Sequence, residues 1–225
     1  MRNYEIALFD LDGTLSESGE GILYCVRKVF KETGRALPDE KTIQSFIGPP
    51  MYDSLSRCGF DDAAAKEGVE IYKRNYLEYG IYKNKVYEGM HETLTRLRDA
   101  GVRLGVASTK YQAFTDRIIN MLDLRQYFSI VGGSNVIGVT PAGETPRRDK
   151  IDVMNYVIDS LRQNENDRIV MIGDTKYDAD GAAKTGTDFI GCLFGYGSRE
   201  EMIQYYTSGS PYFVESPAGI TDIIL

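Results

Sequence analysis

The fold of this chain is decided by residues 4–18, YEIALFDLDGTLSES. Residues 6–9 form a short, continuous apolar run of the kind that a buried parallel strand shows, and Gly13 ends it sharply. This run delivers two acids, Asp10 and Asp12, to the carboxyl end of the strand. In an open α/β sheet that end is where ligands bind, so the sequence predicts a site there.

Length and composition indicate one globular core with an insertion. The chain has 225 residues, of which 42% are hydrophobic and 26% charged, as in ordinary proteins with a sizeable core. Its net charge of −7 argues against a nucleic-acid or anionic-membrane surface, because phosphate groups are bound mainly by clustered Lys and Arg. No apolar run approaches the ~20 residues that span a bilayer, and no cleavable signal precedes the first strand, so we expect a cytoplasmic protein.

The cysteines and the histidine exclude several kinds of site. Cys25, Cys58 and Cys192 are odd in number and lack CxxC spacing, so neither a disulfide framework nor a zinc site is indicated. His91 is the only histidine, which excludes a metal site built from several histidines. We expect His91 at a solvated helix position.

The order of the predicted elements indicates a parallel sheet with an all-helical insertion. Residues 17–83 carry apolar positions at helical spacing and no strand signal. From Val86 onward the pattern alternates strand and helix, as parallel βαβ units do. Further strands are predicted at residues 102–107, 128–131, 168–172, 189–194 and 212–214, with a loop at 132–146. We therefore predict an α/β fold whose core comprises residues 1–16 and 84–225.

Polar residues recur at the ends of the predicted strands and at one helix start. The set comprises Asp10, Asp12, Ser108, Lys150, Asp174 and Asp178. Any one of these residues alone would suit a turn or a helix cap, but their common position predicts that they meet at one edge of the sheet. Acids, a hydroxyl and a lysine suit phosphoryl transfer to a carboxylate, which also requires a divalent cation.

These motifs resemble those of the haloacid dehalogenase-like superfamily, whose signature DxDGT is met by residues 10–14. The resemblance continues through LGVAST at 104–109, Lys150, GDTKYDADGA at 173–182 and LFGYGSREEM at 193–202. The chain looks most like the phosphoglycolate phosphatase and 5′-nucleotidase-like branch, which carries a small helical cap just after the first motif. The resemblance implies a Rossmann-like parallel sheet core with residues 17–83 as an inserted all-α cap domain.

The resemblance also implies roles for individual residues. Asp10 would be the nucleophile that forms an aspartyl-phosphate, and Asp12 would protonate the leaving oxygen and then act as a base toward water. Asp174, Asp10 and the backbone carbonyl of Asp12 would hold Mg²⁺, with Asp178 as a further ligand or orienting group. On an extended segment the two-residue spacing points both acids to the same side.

Two positions depart from the family's usual pattern. The hydroxyl that would bind phosphate is Ser108 followed by Thr109, so either could be the donor, and we favour Ser108 because it comes first after the apolar run. Lys150, which would neutralise the nucleophile and the phosphate, lies in RRDKIDVM rather than in a Lys-Pro segment. Three neighbouring cations could share or replace its role: Arg147, Arg148 and Lys110.

We expect a Mg²⁺-dependent phosphatase that acts on a small phosphomonoester, such as phosphoglycolate, a nucleoside monophosphate or a sugar phosphate. A phosphomutase would share all the core residues, whereas a dehalogenase would give Asp12 no alkoxide to protonate. A non-catalytic phospho-aspartate signalling module would be shorter and would lack the insertion. The expected partner is a small phosphorylated metabolite, with no nucleic acid and no membrane, and the sequence leaves the substrate and the oligomeric state open.

Overall fold

The structure is a computed structural model that describes residues 3–135 and 145–225. The chain divides into two compact units, residues 1–17 with 86–225 and residues 18–85. The first is an α/β unit built on a sheet, and the second is a helical unit. No helix in the described parts of the chain is long and apolar enough to cross a lipid bilayer.

The sheet of the α/β unit is parallel throughout. The strands of the chain are β1 (Ile6–Phe9), β2 (Ser16–Glu17), β3 (Lys85–Val86), β4 (Arg103–Tyr111), β5 (Ile130–Ser134), β6 (Ile169–Gly173), β7 (Asp188–Cys192) and β8 (Tyr212–Val214). Six of them form one sheet in the order β5-β4-β1-β6-β7-β8, and β2 pairs separately with β3. Because β1 lies between β4 and β6, the acids that follow β1 leave the sheet near its middle.

The helical unit contains the four helices that follow the first motif. They are α1 (Gly19–Glu32), α2 (Glu40–Gln44), α3 (Met51–Arg57) and α4 (Asp62–Glu78), followed by a short 3-10 helix at Gly80–Lys83. Asp39 caps α2 by accepting from the Thr42 N–H at 2.7 Å, as its position before the helix predicts. Tyr72 and Tyr76 stack in the interior of this unit with ring centroids 5.4 Å apart, whereas Tyr82 is exposed.

The remaining helices belong to the α/β unit. They are α5 (Met90–Asp99), α6 (Gln112–Met121), α7 (Lys150–Leu161), α8 (Lys176–Thr185), α9 (Arg199–Tyr205) and α10 (Pro217–Ile224), with a 3-10 turn at Arg125–Tyr127. Helix α7 packs closely on the sheet: a Cβ at Gly105 or Gly132 would lie 2.4 or 2.5 Å from the methyl groups of Val157. This close packing sets the position of the amino end of α7, where Lys150 lies.

Several predicted strand bounds are wrong. β4 continues past Ala107 to Tyr111, because pairing with β5 resumes at Tyr111 opposite Ser134 after an irregular register. β5 covers 130–134 rather than 128–131, since Phe128 is buried against Phe9 ahead of the strand rather than within it. β7 covers 188–192 rather than 189–194. The first three residues of the predicted loop at 132–146 belong to β5. Residues 136–144 of this loop lie outside the described parts of the chain.

Candidate active site

The turn after β1 fixes the first two acids. The N–H of Asp10 donates to the carbonyl of Ile172 on β6 at 2.9 Å, so the chain is still held to the sheet at this point. Gly13 then adopts a φ of +89°, which L side chains rarely adopt. A Cβ at this position would also lie 2.1 Å from an Asp174 carboxylate oxygen. Glycine is therefore required here both by the backbone conformation and by the lack of room for a side chain.

Three buried aspartates meet at the carboxyl edge of the sheet, and we call them the acid cluster. Asp10 follows β1, Asp174 follows β6, and Asp178 lies in the first turn of α8. They are 7%, 0% and 1% exposed, and one carboxylate oxygen from each lies within 4.8 Å of the other two. The structure therefore brings together three acids that are far apart in the sequence.

Lys150 supplies a buried positive charge to the acid cluster. The N-cap Asp149 accepts from the Asp152 N–H at 2.9 Å and starts α7 at Lys150. The Nζ atom of Lys150 lies 2.5 Å from Asp10 Oδ1 and 2.7 Å from Asp178 Oδ1. It also donates to the carbonyl of Ala107 at 2.8 Å. Lys150 thus contacts the acid cluster directly although it lacks the usual Lys-Pro context.

Arg147 and Arg148 contact other parts of the chain. The Arg147 Nε donates to the Gly133 carbonyl at 2.8 Å, and its guanidinium lies 4.2 Å from the centroid of the Tyr156 ring. Arg148 is exposed, and its backbone N–H donates to Asp152 at 2.9 Å. Lys150, rather than either arginine, is thus the residue described in contact with Asp10.

The electrostatics of the cluster are dominated by the burial of like charges. Burial, together with the Asp178 carboxylate, raises the pKa of Asp10 to about 7, although Lys150 lowers it. Burial also raises the pKa of Asp174 well above its ordinary value, with the Asp178 and Asp10 carboxylates adding to the effect. Burial opposes the charge of Lys150, but the Asp10 and Asp178 carboxylates raise its pKa above the ordinary value.

Asp174 is held by groups that the sequence reasoning did not assign. Its Oδ1 accepts from the Thr14 hydroxyl at 3.3 Å and its Oδ2 from the Tyr196 N–H at 2.7 Å. A Cβ at Gly195 would lie 2.4 Å from Asp174 Oδ2, and one at Gly197 would lie 2.0 Å from the Asp174 carbonyl oxygen. The two glycines around Tyr196 were the only sequence signal that a loop passes so close to this carboxylate.

Asp178 has a structural role in addition to its place in the cluster. Its Oδ2 accepts from the N–H of Thr175 at 3.0 Å and from the Thr175 hydroxyl at 2.8 Å, which completes a capping box at the start of α8. A Cβ at Gly173 would lie 2.3 Å from the Asp178 side chain. The capping bonds orient the other oxygen, Oδ1, toward Lys150.

Asp12 stands apart from the acid cluster. Its Oδ2 lies 3.0 Å from the Nζ of Lys110, and both side chains are largely buried. Ser108 is also buried, and its hydroxyl oxygen accepts from the Lys110 N–H at 3.3 Å, which leaves the hydroxyl hydrogen to donate elsewhere. Thr109 is half-buried in the same irregular part of β4. Lys110 therefore contacts the second acid of the motif rather than sharing the position of Lys150.

The acid cluster suits a divalent cation. Three buried carboxylates outnumber the one cation, Lys150, that contacts them among the described residues. Buried charges are stable only when they are paired or bind metal, and a hard divalent ion such as Mg²⁺ prefers oxygen ligands. The backbones of Gly13 and Gly195 approach the Asp174 carboxylate so closely that a Cβ at these positions would lie 2.1 and 2.4 Å from Oδ2.

Fold and site together define an α/β protein with an aspartate and lysine centre at the carboxyl edge of a parallel sheet. The family model "Haloacid dehalogenase-like hydrolase" matches residues 7–192, which is most of the chain. The chain therefore belongs to the haloacid dehalogenase-like hydrolase family, as its motifs predict.

Similar proteins carry several functional names. The chain is 33% identical over 193 residues to the tyrosine-protein kinase PtkA of Mycobacterium tuberculosis, a match that covers 86% of this chain but only 63% of PtkA. It is 33% identical over 200 residues to a 5′-nucleotidase of Pseudomonas aeruginosa, covering 88% and 87% of the two chains.

A solved structure matches the fold over nearly all of both chains. The crystal structure of a predicted phosphatase from Clostridium acetobutylicum is 33% identical, with a TM-score of 0.86 over 97% of both chains. The predicted fold class, a Rossmann-like parallel sheet core, is thus confirmed, and so is the predicted likeness to the 5′-nucleotidase-like branch.

Proposed function

We propose that this protein is a phosphatase that hydrolyses a small phosphomonoester through a phosphorylated Asp10. The observation that carries this proposal is the different surroundings of the two motif acids. Asp10 lies in the acid cluster beside Lys150, whereas the Asp12 side chain lies outside it beside Lys110. A nucleophile and a proton shuttle need such different surroundings, because one must attack while the other exchanges a proton.

In the first step an Asp10 oxygen attacks phosphorus and forms an O–P bond while the bond from phosphorus to the leaving oxygen breaks. The leaving oxygen takes a proton from Asp12, which becomes a carboxylate. In the second step water attacks phosphorus and gives a proton to Asp12, and Asp10 is released together with inorganic phosphate. Lys150 and the Ser108 hydroxyl would hold the phosphoryl oxygens, with Thr109 as the alternative donor.

The proposed cofactor is Mg²⁺, held by Asp10, Asp174 and the backbone carbonyl of Asp12, with Asp178 as a further ligand or as an orienting group. When bound, it would offset the negative charge that otherwise keeps a phosphate away from Asp10. We propose that the helical unit, residues 18–85, serves as the cap that excludes bulk water. We also propose a cytoplasmic location, as the sequence analysis expects.

A phosphate-release screen tests the proposal. The purified chain is incubated with phosphoglycolate, nucleoside monophosphates and sugar phosphates, each with Mg²⁺ and with EDTA. We expect release with Mg²⁺ only, and loss of release in Asp10→Asn. Asp222→Asn, at an exposed position of α10, is the matched control and should keep full activity. An active Asp10→Asn variant would show that Asp10 is not the nucleophile.

The likeness to PtkA favours one second candidate, phosphoryl transfer to a tyrosine hydroxyl. The same aspartate would pass its phosphoryl group to that hydroxyl instead of to water. Incubation with γ-labelled ATP and a tyrosine-containing peptide separates the two functions, since a kinase labels the peptide, whereas a phosphomonoester hydrolase leaves the peptide unlabelled and releases phosphate from its own substrate in the screen. Product analysis of sugar phosphates in the same screen would reveal a phosphomutase by transfer to a second hydroxyl.

A further inference from the structure

Lys110 is a buried cation with a defined place beside Asp12. Its Nζ lies 3.0 Å from Asp12 Oδ2, and the two side chains are 7% and 12% exposed. A pair this well removed from water is screened far less than a surface ion pair. It therefore restricts the orientation of the Asp12 carboxylate.

The backbone of Lys110 is fixed on both sides. Its N–H donates to the Ser108 hydroxyl oxygen at 3.3 Å, and its carbonyl accepts from the Thr115 hydroxyl at 3.3 Å. The register of β4 against β5 is irregular between Ala107 and Tyr111, the segment that contains Lys110. Irregular strand segments of this kind redirect side chains, and here the redirected side chain reaches the turn after β1.

The other oxygen of Asp12 has different surroundings. Asp12 Oδ1 is buried and has no hydrogen-bond partner in residues 3–135 and 145–225. Leaving a buried carboxylate oxygen without a donor costs free energy, so such an atom is expected where a ligand supplies the missing partner. With Oδ2 beside Lys110, Oδ1 is the oxygen left to face a substrate group.

We propose that Lys110 is a positioning residue that holds Asp12 through Oδ2 and so directs Oδ1 to the leaving oxygen. This inference rests on the proposed phosphatase function and adds a residue to it. Each motif acid then has a lysine of its own, Lys150 for Asp10 and Lys110 for Asp12. Lys110 acts on the proton transfer and not on the attack at phosphorus.

The test compares two leaving groups, because only a basic leaving group needs a proton. The substrates are the best alkyl phosphomonoester from the phosphate-release screen and 4-nitrophenyl phosphate, whose phenolate leaves unprotonated. General acid catalysis contributes about 10² to 10⁴-fold, and misplacing the acid forfeits part of this. We therefore expect Lys110→Met to lower kcat/KM about 10 to 100-fold for the alkyl ester and less than about threefold for 4-nitrophenyl phosphate.

Two further variants control the test. Lys110→Arg keeps the positive charge on a side chain of different shape. It should lower kcat/KM less than Lys110→Met does, and again more for the alkyl ester than for 4-nitrophenyl phosphate. If Lys110→Met does not fold, Lys110→Arg decides the question. Lys184→Met removes an exposed lysine that pairs with Asp180 and should leave both rates unchanged. Equal losses on both esters, or no loss, would overturn the role of Lys110. Failure of the wild-type protein to hydrolyse any ester would instead overturn the proposed function.

Discussion

Substitution of Gly13 tests whether its close approach to Asp174 matters for stability and ion binding. Gly13→Ala places a side chain on a backbone with φ +89°, where a Cβ costs about 1–2 kcal/mol. The new Cβ would also lie 2.1 Å from Asp174 Oδ2 and 2.7 Å from the Tyr196 ring, so these groups must move. Forced packing of this kind costs about 1–3 kcal/mol more. We therefore expect Gly13→Ala to lower the free energy of unfolding by about 2–5 kcal/mol.

Gly186 provides the matched control. It also has a positive φ, +68°, but a Cβ there would meet nothing within 4 Å. Gly186→Ala should therefore cost only the backbone term, about 1–2 kcal/mol. Urea unfolding in EDTA measures both losses, and the midpoint of thermal unfolding with added Mg²⁺ measures ion binding. Gly13→Ala should lose most of the Mg²⁺-induced rise, whereas Gly186→Ala should keep it.

The result that would refute this reasoning is equal behaviour of the two variants. If both lose the same free energy of unfolding, the close approach between Gly13 and Asp174 has no energetic consequence. If both keep the same Mg²⁺-induced rise in the thermal midpoint, the position of Asp174 does not matter for ion binding. Either outcome would show that the turn after β1 does not position the acid cluster.

Charge substitutions give three further tests. Lys150→Met leaves the acid cluster without its contacting cation and should cost about 3–5 kcal/mol in urea unfolding with EDTA, whereas Lys184→Met should change little. Burial raises the pKa of Asp10 to about 7, so the free energy of unfolding in EDTA should fall as the pH rises from about 4 to 7. The Asp10→Asn variant should lack the part of this pH dependence that Asp10 causes. Burial alone would raise the pKa of Asp167, but two backbone N–H groups and Arg103 lower it to about 2. Its stabilisation should be present above about pH 4 and lost as the pH falls through about 2, and Asp167→Asn should lose about 1 kcal/mol at pH 7.

The sequence predicted the parts of the site whose positions depend on neighbouring residues in the chain. A buried apolar run followed by a glycine turn placed Asp10 and Asp12 at a strand end without further information. Asp149 before an apolar helix pattern predicted where α7 starts, and the position of Lys150 follows from it. The roles of these residues came from the family resemblance and stay proposals until they are measured.

The parts that the sequence did not predict depend on contacts between distant segments. The pair of Lys110 and Asp12 requires β4 to continue past Ala107, and that continuation depends on pairing with β5 rather than on local propensity. The contact of the Tyr196 N–H with Asp174 likewise requires a loop to pass beside the end of another strand. No residue pattern around Lys110 indicates its neighbour, and in the second segment only the glycines on either side of Tyr196 do.

The most direct test of the central claim is to find the phosphoryl group on Asp10. The enzyme is quenched in acid during turnover of its best substrate, digested, and examined by mass spectrometry for phosphorylated peptides. We predict one acid-stable phosphoryl group on the aspartate of the FDLDGT segment at Asp10, and none in the Asp10→Asn protein. Turnover without any covalent phosphoryl group, or with one on a different residue, would contradict the proposed mechanism.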